Sequence, residues 1–346
     1  MKVAVIGAGI VGMTSALRIM EEVAHAHGEI DLTVISEKFC PDNTSYGAGG
    51  IWKPPSEEHM TKAELRWLQW SFDYLTSMLW TDYAHELGIF LQSGYYVHME
   101  NVPDPAWKDI VVGFRYLTAW ELNNLFPGNK HGWFYTAFIC QPRDFLPWAH
   151  ARLTEKGAGF VQRRVQSLQE LAPHYDVIVN CTGLGSKYLV QDDALFPARG
   201  QVMRVKAPWI RYFVGTSGPH PTIKGNPYIY SNLHDVVIGG IKQEGNYRET
   251  NDPRDTRTIW EGVLALHPQL KGAEVVEEWT GLRPMRKGGI RLEREKLVDS
   301  KSGRRFDVIH NYGHGANGVT WSHGCAREVA EIVKVIMAEK VTTSRL

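Results

Sequence analysis

The sequence predicts an α/β protein of two interleaved lobes, one a nucleotide-binding unit on a mainly parallel sheet, the other a strand-rich α+β unit. Three observations carry this prediction. The chain opens on a strand, a glycine-rich turn and a helix. Buried-strand patterns ending in small residues return near 176–185 and 308–318, and alternating stretches fill the intervals between. Nucleotide-type elements at the start, middle and end of one chain point to interleaved rather than sequential domains. The boundaries read as 1–50, 145–195 and 300–346 for the nucleotide lobe, with 51–144 and 196–299 for the other.

Residues 2–6 (KVAVI) are a short apolar strand running into Gly7-Ala8-Gly9-Ile10-Val11-Gly12. Residues 13–22 read as a helix with Met13, Ala16, Leu17 and Met20 on one face, and 32–35 (LTVI) as a second buried strand. Such a βαβ unit requires parallel pairing. Residues 46–50 (YGAGG) are too glycine-rich for regular structure and read as a loop. A helix rich in aromatics (Trp67, Trp70, Phe72, Tyr74) is expected at 65–79. Strands and turns are expected over 88–139, then a helix over 145–155. Residues 176–180 (DVIVN) form an apolar strand leading into Cys181-Thr182-Gly183-Leu184-Gly185. Strand alternation is clearest at 201–205, 228–230 and 236–241. A helix is expected at 256–266, a strand at 308–312, and a last helix from about 319 to 339.

The composition narrows the function. The 346 residues suffice for two lobes with substantial cores. Lys+Arg and Asp+Glu each number 38, so no overall field attracts polyanions, and nucleic acid is not an expected partner. Cys40, Cys140, Cys181 and Cys325 are far apart, with no C-x-x-C pair, which argues against a disulfide scaffold and fits a reducing compartment. A strand beginning at residue 2 leaves no room for a leader, and no apolar run reaches the roughly 18 residues of a membrane span. His310 and His314 sit in a strand–loop setting that does not bring them to one helical face, so no metal is expected. Ser344-Arg345-Leu346 resembles the S-K-L peroxisomal address with Arg keeping the cation of Lys, although a chance tripeptide reads the same.

The chemistry concentrates in glycine-rich turns. In Gly7-x-Gly9-x-x-Gly12, Gly7 permits the turn, Gly9 lets backbone approach a pyrophosphate, and Gly12 lets helix and strand pack closely; the helix start offers N–H groups to phosphate. This is a Rossmann-type fingerprint in its required context. Glu37 follows the second strand where an acidic residue binds a ribose hydroxyl. A packing turn with a surface Glu is the bland alternative. Two further features favour FAD over NAD: the small residues after 180, and the loop Gly313–Gly318 leading into a helix start near Val319, whose dipole could stabilise negative charge on a reduced flavin.

These features together resemble the D-amino-acid oxidase family, which includes the D-aspartate oxidases. The resemblance spans nearly the whole chain and is carried by VIGAGIVG at the N-terminus, DVIVNCTG at 176–183, RGQVMRVKAPW at 199–209, GLRP at 281–284, IRLERE at 290–295 and HNYGHGANGVT at 310–320. It implies a Rossmann-type FAD-binding domain interleaved with a strand-rich α+β substrate-binding domain. It also implies oxidative deamination of D-amino acids with O₂, giving 2-oxo acids, NH₃ and H₂O₂ in the peroxisome, where Ser344, Arg345 and Leu346 would engage the import receptor. A homodimer is left open.

Site residues follow from the same resemblance. Arg283 matches the arginine that grips the substrate carboxylate, a role suited to a planar guanidinium. Tyr228 matches the tyrosine that bonds the same group, and the carbonyl of Ala316 the acceptor for the substrate amine. FAD contacts are expected from Gly7, Ala8, Gly9, Ile10, Gly12, Glu37, Lys38, Thr44, Ser45, Gly49, Gly50, Ile51, Thr182, Gly315, Gly318, Val319 and Thr320. Two departures concern the side-chain pocket, where Lys53 and Lys224 stand in place of uncharged residues. They would favour acidic substrates, whereas Gly215-Thr216-Ser217 lacks the arginine of D-aspartate oxidases. Neutral substrates are the expectation, acidic ones the alternative. A glycine or sarcosine oxidase, and a flavin-binding protein without catalysis, are the other readings.

Overall fold

In the computed structural model, residues 1–24, 30–55, 60–218 and 225–343 are described, of which 341–343 as backbone only. Lys224 and the tripeptide Ser344, Arg345, Leu346 lie outside the described residues. Two sheets form the molecule. Sheet A contains β1 (Lys2–Ile6), β2 (Asp31–Ser36), β6 (Gly159–Gln162), β7 (Val177–Asn180), β14 (Arg291–Val298) and β15 (Arg305–Tyr312). Their order is β14-β15-β7-β1-β2-β6, parallel throughout except for β14 against β15. Both faces are covered at the centre of the sheet, which is why β1 (KVAVI) and β7 (VIVN) read as apolar runs. Val3 and Val5 pack toward helix α1 (Ile10–Arg18), while Ala4 and Ile6 enter a second cluster with Leu168, Leu171 and Phe306.

Sheet B has nine strands. β3 (Ile89–His98), β4 (Val112–Tyr116), β5 (His131–Cys140), β8 (Leu195–Lys206), β9 (Phe213–Ser217), β10 (Tyr228–Ser231), β11 (Val236–Gly239) and β12 (Gln243–Glu244) form the path β12-β8-β11-β10-β9-β3-β5-β4. β13 (Glu274–Arg286) pairs with the long β8. One face packs on a helix through Met203, Val205, Ile238, Ile259 and Val263; the other, with Tyr96, Val202 and Tyr230, joins the main core beside sheet A.

Several boundaries differ from those expected, each for a local reason. The first helix begins at Ile10 and passes at Ile19–Val23 into a π-helical turn. The aromatic helix α2 (Lys62–Leu79) starts three residues early because Thr61 caps it. Thr61 Oγ1 accepts from Glu64 N (3.2 Å), and Glu64 Oε2 accepts from Thr61 N (2.7 Å). The same box at Thr118 and Glu121 makes a helix, Ala119–Leu125, inside the stretch expected to hold strands and turns. Helix α3 (Pro142–Glu155) opens on a proline at its first position, and α4 (Pro253–Leu266) on the Asp252 cap, which accepts from Arg254 N at 2.9 Å. The last helix, α5 (Gly318–Thr343), is longer than expected. β14, within the span 196–299, is an edge strand of sheet A. Among the described residues no helix is long and apolar enough to cross a membrane.

Candidate functional site

A cavity of about 1120 Å³ is lined by residues of both sheets. It opens beyond the carboxyl ends of β1, β2, β7 and β15, where open α/β sheets bind their ligands. Three turns build its nucleotide end. Gly7 has φ +105°, and a Cβ there would fall 2.5 Å from the Cys181 carbonyl oxygen. A Cβ on Gly12 would fall 1.8 Å from the Gly7 carbonyl oxygen, so strand, turn and helix close only on glycine. Ser45 Oγ accepts from Ile10 N (2.9 Å) and Asn43 Nδ2 donates to the Ala8 carbonyl (3.2 Å), seating the 43–50 loop over the start of α1. The third turn, Thr182–Gly185, hangs from Asn180 at the end of β7: Thr182 Oγ1 donates to Asn180 Oδ1 at 2.8 Å.

The other end is a register row across sheet B. Tyr96 pairs with Gly215, Gly215 with Tyr228, Tyr228 with Gly239, Gly239 with Val202, and Val202 with Trp279. Paired residues in a sheet share a face. The glycines let the neighbouring rings lie down. A Cβ on Gly215 would meet the Tyr96 ring at 2.5 Å, and one on Gly239 the Tyr228 hydroxyl at 2.3 Å. Tyr228 and Tyr230 stack at 4.5 Å and 12°. Arg283, two positions after Gly281 on β13, lays its guanidinium over Gly200, where a Cβ would approach Nη1 to 2.3 Å. Its Nη1 donates to the Ile241 carbonyl at 3.0 Å. Burial pushes the Tyr228 phenol up, opposed by the adjacent Arg283 cation.

Lys53 enters from the nucleotide side. Its Nζ donates to the Tyr96 hydroxyl (2.8 Å) and lies 4.1 Å from that ring's centroid, while the hydroxyl donates to the Thr216 carbonyl (3.2 Å). Thr320 Oγ1 accepts from Lys53 N (3.0 Å) and donates to Lys53 O (3.1 Å), fixing this backbone to the first turn of α5. Among the described residues no carboxylate pairs with the Lys53 ammonium. Lys242 lines the same cavity but pairs with Glu244 at 2.8 Å. His314, also lining, is pushed down to about 3 by burial, so its imidazole is neutral.

The expected residues therefore converge. Gly7, Ala8, Gly9, Ile10, Glu37, Lys38, Thr44, Ser45, Gly49, Gly50, Ile51, Lys53, Thr182, Tyr228, Arg283, Gly315, Ala316, Gly318 and Val319 all line the cavity. Gly12 and Thr320 stand behind it as packing and positioning residues. Sequence reasoning missed Tyr96, Trp279 and the pair Arg163, Arg164, all of which line the cavity as well. A β3 tyrosine carries no mark of which face it takes. The two arginines follow β6, a strand whose sequence, GFVQ, has only two apolar residues.

The cavity exceeds the roughly 300–1,000 Å³ usual for one small ligand, which leaves room for an extended dinucleotide and a substrate. The glycine cradle at Gly7–Gly12 fits a pyrophosphate, and Thr182–Gly185 and Gly315–Val319, which line the same cavity, would face the rest of such a cofactor. Among the described residues no group of His, Cys, Asp and Glu is arranged to hold a metal ion.

Comparison with known proteins bears on the family. The profile described as FAD dependent oxidoreductase (DAO) matches residues 2–332. The chain is similar to D-aspartate oxidase of Homo sapiens, 36% identical over 335 residues covering 96% of this chain and 94% of that protein. It is similar as well to D-amino-acid oxidase of Rubrobacter xylanophilus, 32% identical over 95% of this chain and 94% of that one. In fold it is similar to glycine oxidase from Bacillus cereus, with TM-score 0.72 and 16% identity, covering 96% of this chain and 95% of that chain. The glycine cradle, the interleaved sheets and a match over nearly the full length lead to one conclusion: this chain belongs to the FAD dependent oxidoreductase (DAO) family, with FAD as its cofactor.

Proposed function

We propose that the protein oxidises D-amino acids at the Cα–N bond, and that its substrates carry an acidic side chain. The observation supporting the first part is the pairing of Arg283 and Tyr228 on one face of sheet B, beside the cofactor turns. The guanidinium and phenol hold the substrate α-carboxylate, and the Ala316 carbonyl accepts from its amine. FAD, when bound, supplies a two-electron acceptor that O₂ regenerates, releasing H₂O₂. The imino acid product takes up water to give a 2-oxo acid and NH₃. The protein contributes position: a well-oriented pair lowers a barrier by roughly 7–11 kcal/mol.

The second part rests on Lys53. Its ammonium lies in the cavity against Tyr96, without a carboxylate among the described residues, and a side-chain carboxylate of the substrate would complete the pair. The relatives named D-aspartate oxidase, 32–36% identical, add support. Neutral substrates are the competing outcome. The test is stopped-flow bleaching of the yellow protein under anaerobic D-aspartate and D-alanine. D-aspartate should react faster, and Lys53→Met should cut the D-aspartate to D-alanine ratio by about tenfold, or 1.4 kcal/mol. An unchanged ratio rejects the acidic reading. A protein bleached by neither D-amino acid, yet by glycine or sarcosine, rejects D-amino-acid oxidation itself. We further propose that Ser344-Arg345-Leu346 directs the chain to peroxisomes. A fluorescent fusion that stays diffuse in cells with and without the tripeptide would refute it.

A further inference from the structure

A line of hydrogen bonds runs from the outer edge of sheet A to the cofactor turn. His310 is fully buried on β15, in register with Asn180 on β7 and Glu293 on β14. Its Nε2 lies 2.9 Å from Glu295 Oε2, on a half-exposed side chain of edge strand β14. Its Nδ1 lies 3.3 Å from Asn180 Nδ2. Asn180 is also fully buried. Its Oδ1 accepts from Thr182 N (3.3 Å), Thr182 Oγ1 (2.8 Å) and Ser186 Oγ (3.3 Å). The turn so held, Thr182–Gly185, lines the cavity and touches Gly7 through Cys181 and Thr182.

Only one set of protons satisfies this line. With Glu295 ionised and His310 neutral, Nε2–H donates to the carboxylate, and Nδ1 is left as an acceptor for the Asn180 amide N–H. That fixes the amide with its oxygen toward Thr182. A proton on Nδ1 would face the amide NH₂ donor to donor. Rotating the amide to relieve this would turn NH₂ toward the Thr182 N–H, which then loses its acceptor.

We infer that Glu295, His310 and Asn180 form a positioning relay that holds the Thr182–Gly185 turn against FAD while His310 is neutral and releases it when His310 is protonated. The relay rests on the assignment of that turn to the cofactor. None of its three members lines the cavity, so they act through Thr182. The charged and titratable groups around His310 are Glu293, Glu295 and Arg291 on β14, and Tyr312 on its own strand, whose ring lies 5.8 Å away. Burial lowers the His310 pKa and Glu295 opposes that, so acid release falls below the ordinary histidine range.

The test is FAD release from the holoenzyme, followed by flavin fluorescence between pH 8 and 4, with far-UV circular dichroism recorded on the same samples. Release from the parent should precede unfolding as pH falls. Glu295→Gln removes the carboxylate that favours the imidazolium. It should move the release midpoint to lower pH by roughly 0.2–0.7 unit without moving the unfolding midpoint. Asn180→Asp gives the protonated Nδ1 an acceptor, so its FAD affinity should rise, not fall, as His310 is protonated. Coincident release curves for parent and Glu295→Gln overturn the relay, as does an Asn180→Asp profile of parental sign. If Asn180→Asp does not fold, the Glu295→Gln comparison alone decides. Failure of the cofactor assignment would show separately, as Gly9→Val protein that keeps its flavin.

Discussion

Under the proposed function, Arg283 and Lys53 would present a cation to a carboxylate in two different ways. Arg283 is held flat by the Gly200 backbone and tied to the Ile241 carbonyl, so little side-chain entropy remains to be lost on binding. Lys53 has a flexible stem, yet its backbone is pinned by Thr320 and its ammonium by Tyr96. Arg283→Ala should lower kcat/KM for D-amino acids by about 2–5 kcal/mol, because a buried substrate carboxylate loses its partner. Simple amines, which lack that carboxylate, should be nearly unaffected. Steady-state kinetics on both substrate types checks this, and an equal loss on both would remove Arg283 from carboxylate binding.

At the scale of elements, the site depends on strands that meet through glycine. Gly239→Ala would push a methyl group into the Tyr228 hydroxyl, an overpacking of the kind that costs about 1–3 kcal/mol. The expected variant stays yellow while its KM for D-amino acids rises several-fold; flavin absorbance and steady-state kinetics measure both, and a parental KM would refute it. The same elements show what could be read from the chain. The βαβ start, the strand at 176–180 and the final strand–loop–helix were legible because a doubly covered parallel sheet demands continuous apolar runs. β13 and β14 were not. EVVEEWTGLRPMR carries charges at 274, 277, 278, 283 and 286, RLEREKLV carries four in a row at 293–296, and the partner of the first, β8, is distant in sequence. The helix Ala119–Leu125 was readable after all: Thr118-x-x-Glu121 is a capping box, lost amid aromatic residues that favour strands. At the site, glycine motifs marked the cofactor end well. The aromatic row was hidden, because it exists only once six strands are in register.

For the molecule as a whole, acid is the expected weakness. His98, His314 and His323 are buried in different parts of the fold and pushed down to about 4, 3 and 3 by desolvation. Their folded pKa values lie below the ordinary 6.5, so the unfolded chain binds more protons between those limits, and stability falls as pH falls. Each contributes up to about 1.4 kcal/mol per pH unit within its window. The urea midpoint in saturating FAD should therefore be lower at pH 5 than at pH 7, and His314→Phe, if it packs, should flatten the difference. Equal midpoints would mean that these rings gain protons in the folded protein as readily as in the unfolded chain. Tyrosines at the sheet B end of the cavity occupy space left by glycines on neighbouring strands, as Tyr96 does above Gly215 and Tyr228 above Gly239. Such positions cannot drift singly: a larger residue is tolerated at 215 only after 96 has shrunk. Descendants of this chain that change substrate should do so by paired replacements, and a double-mutant cycle on 96 and 215 should be strongly non-additive.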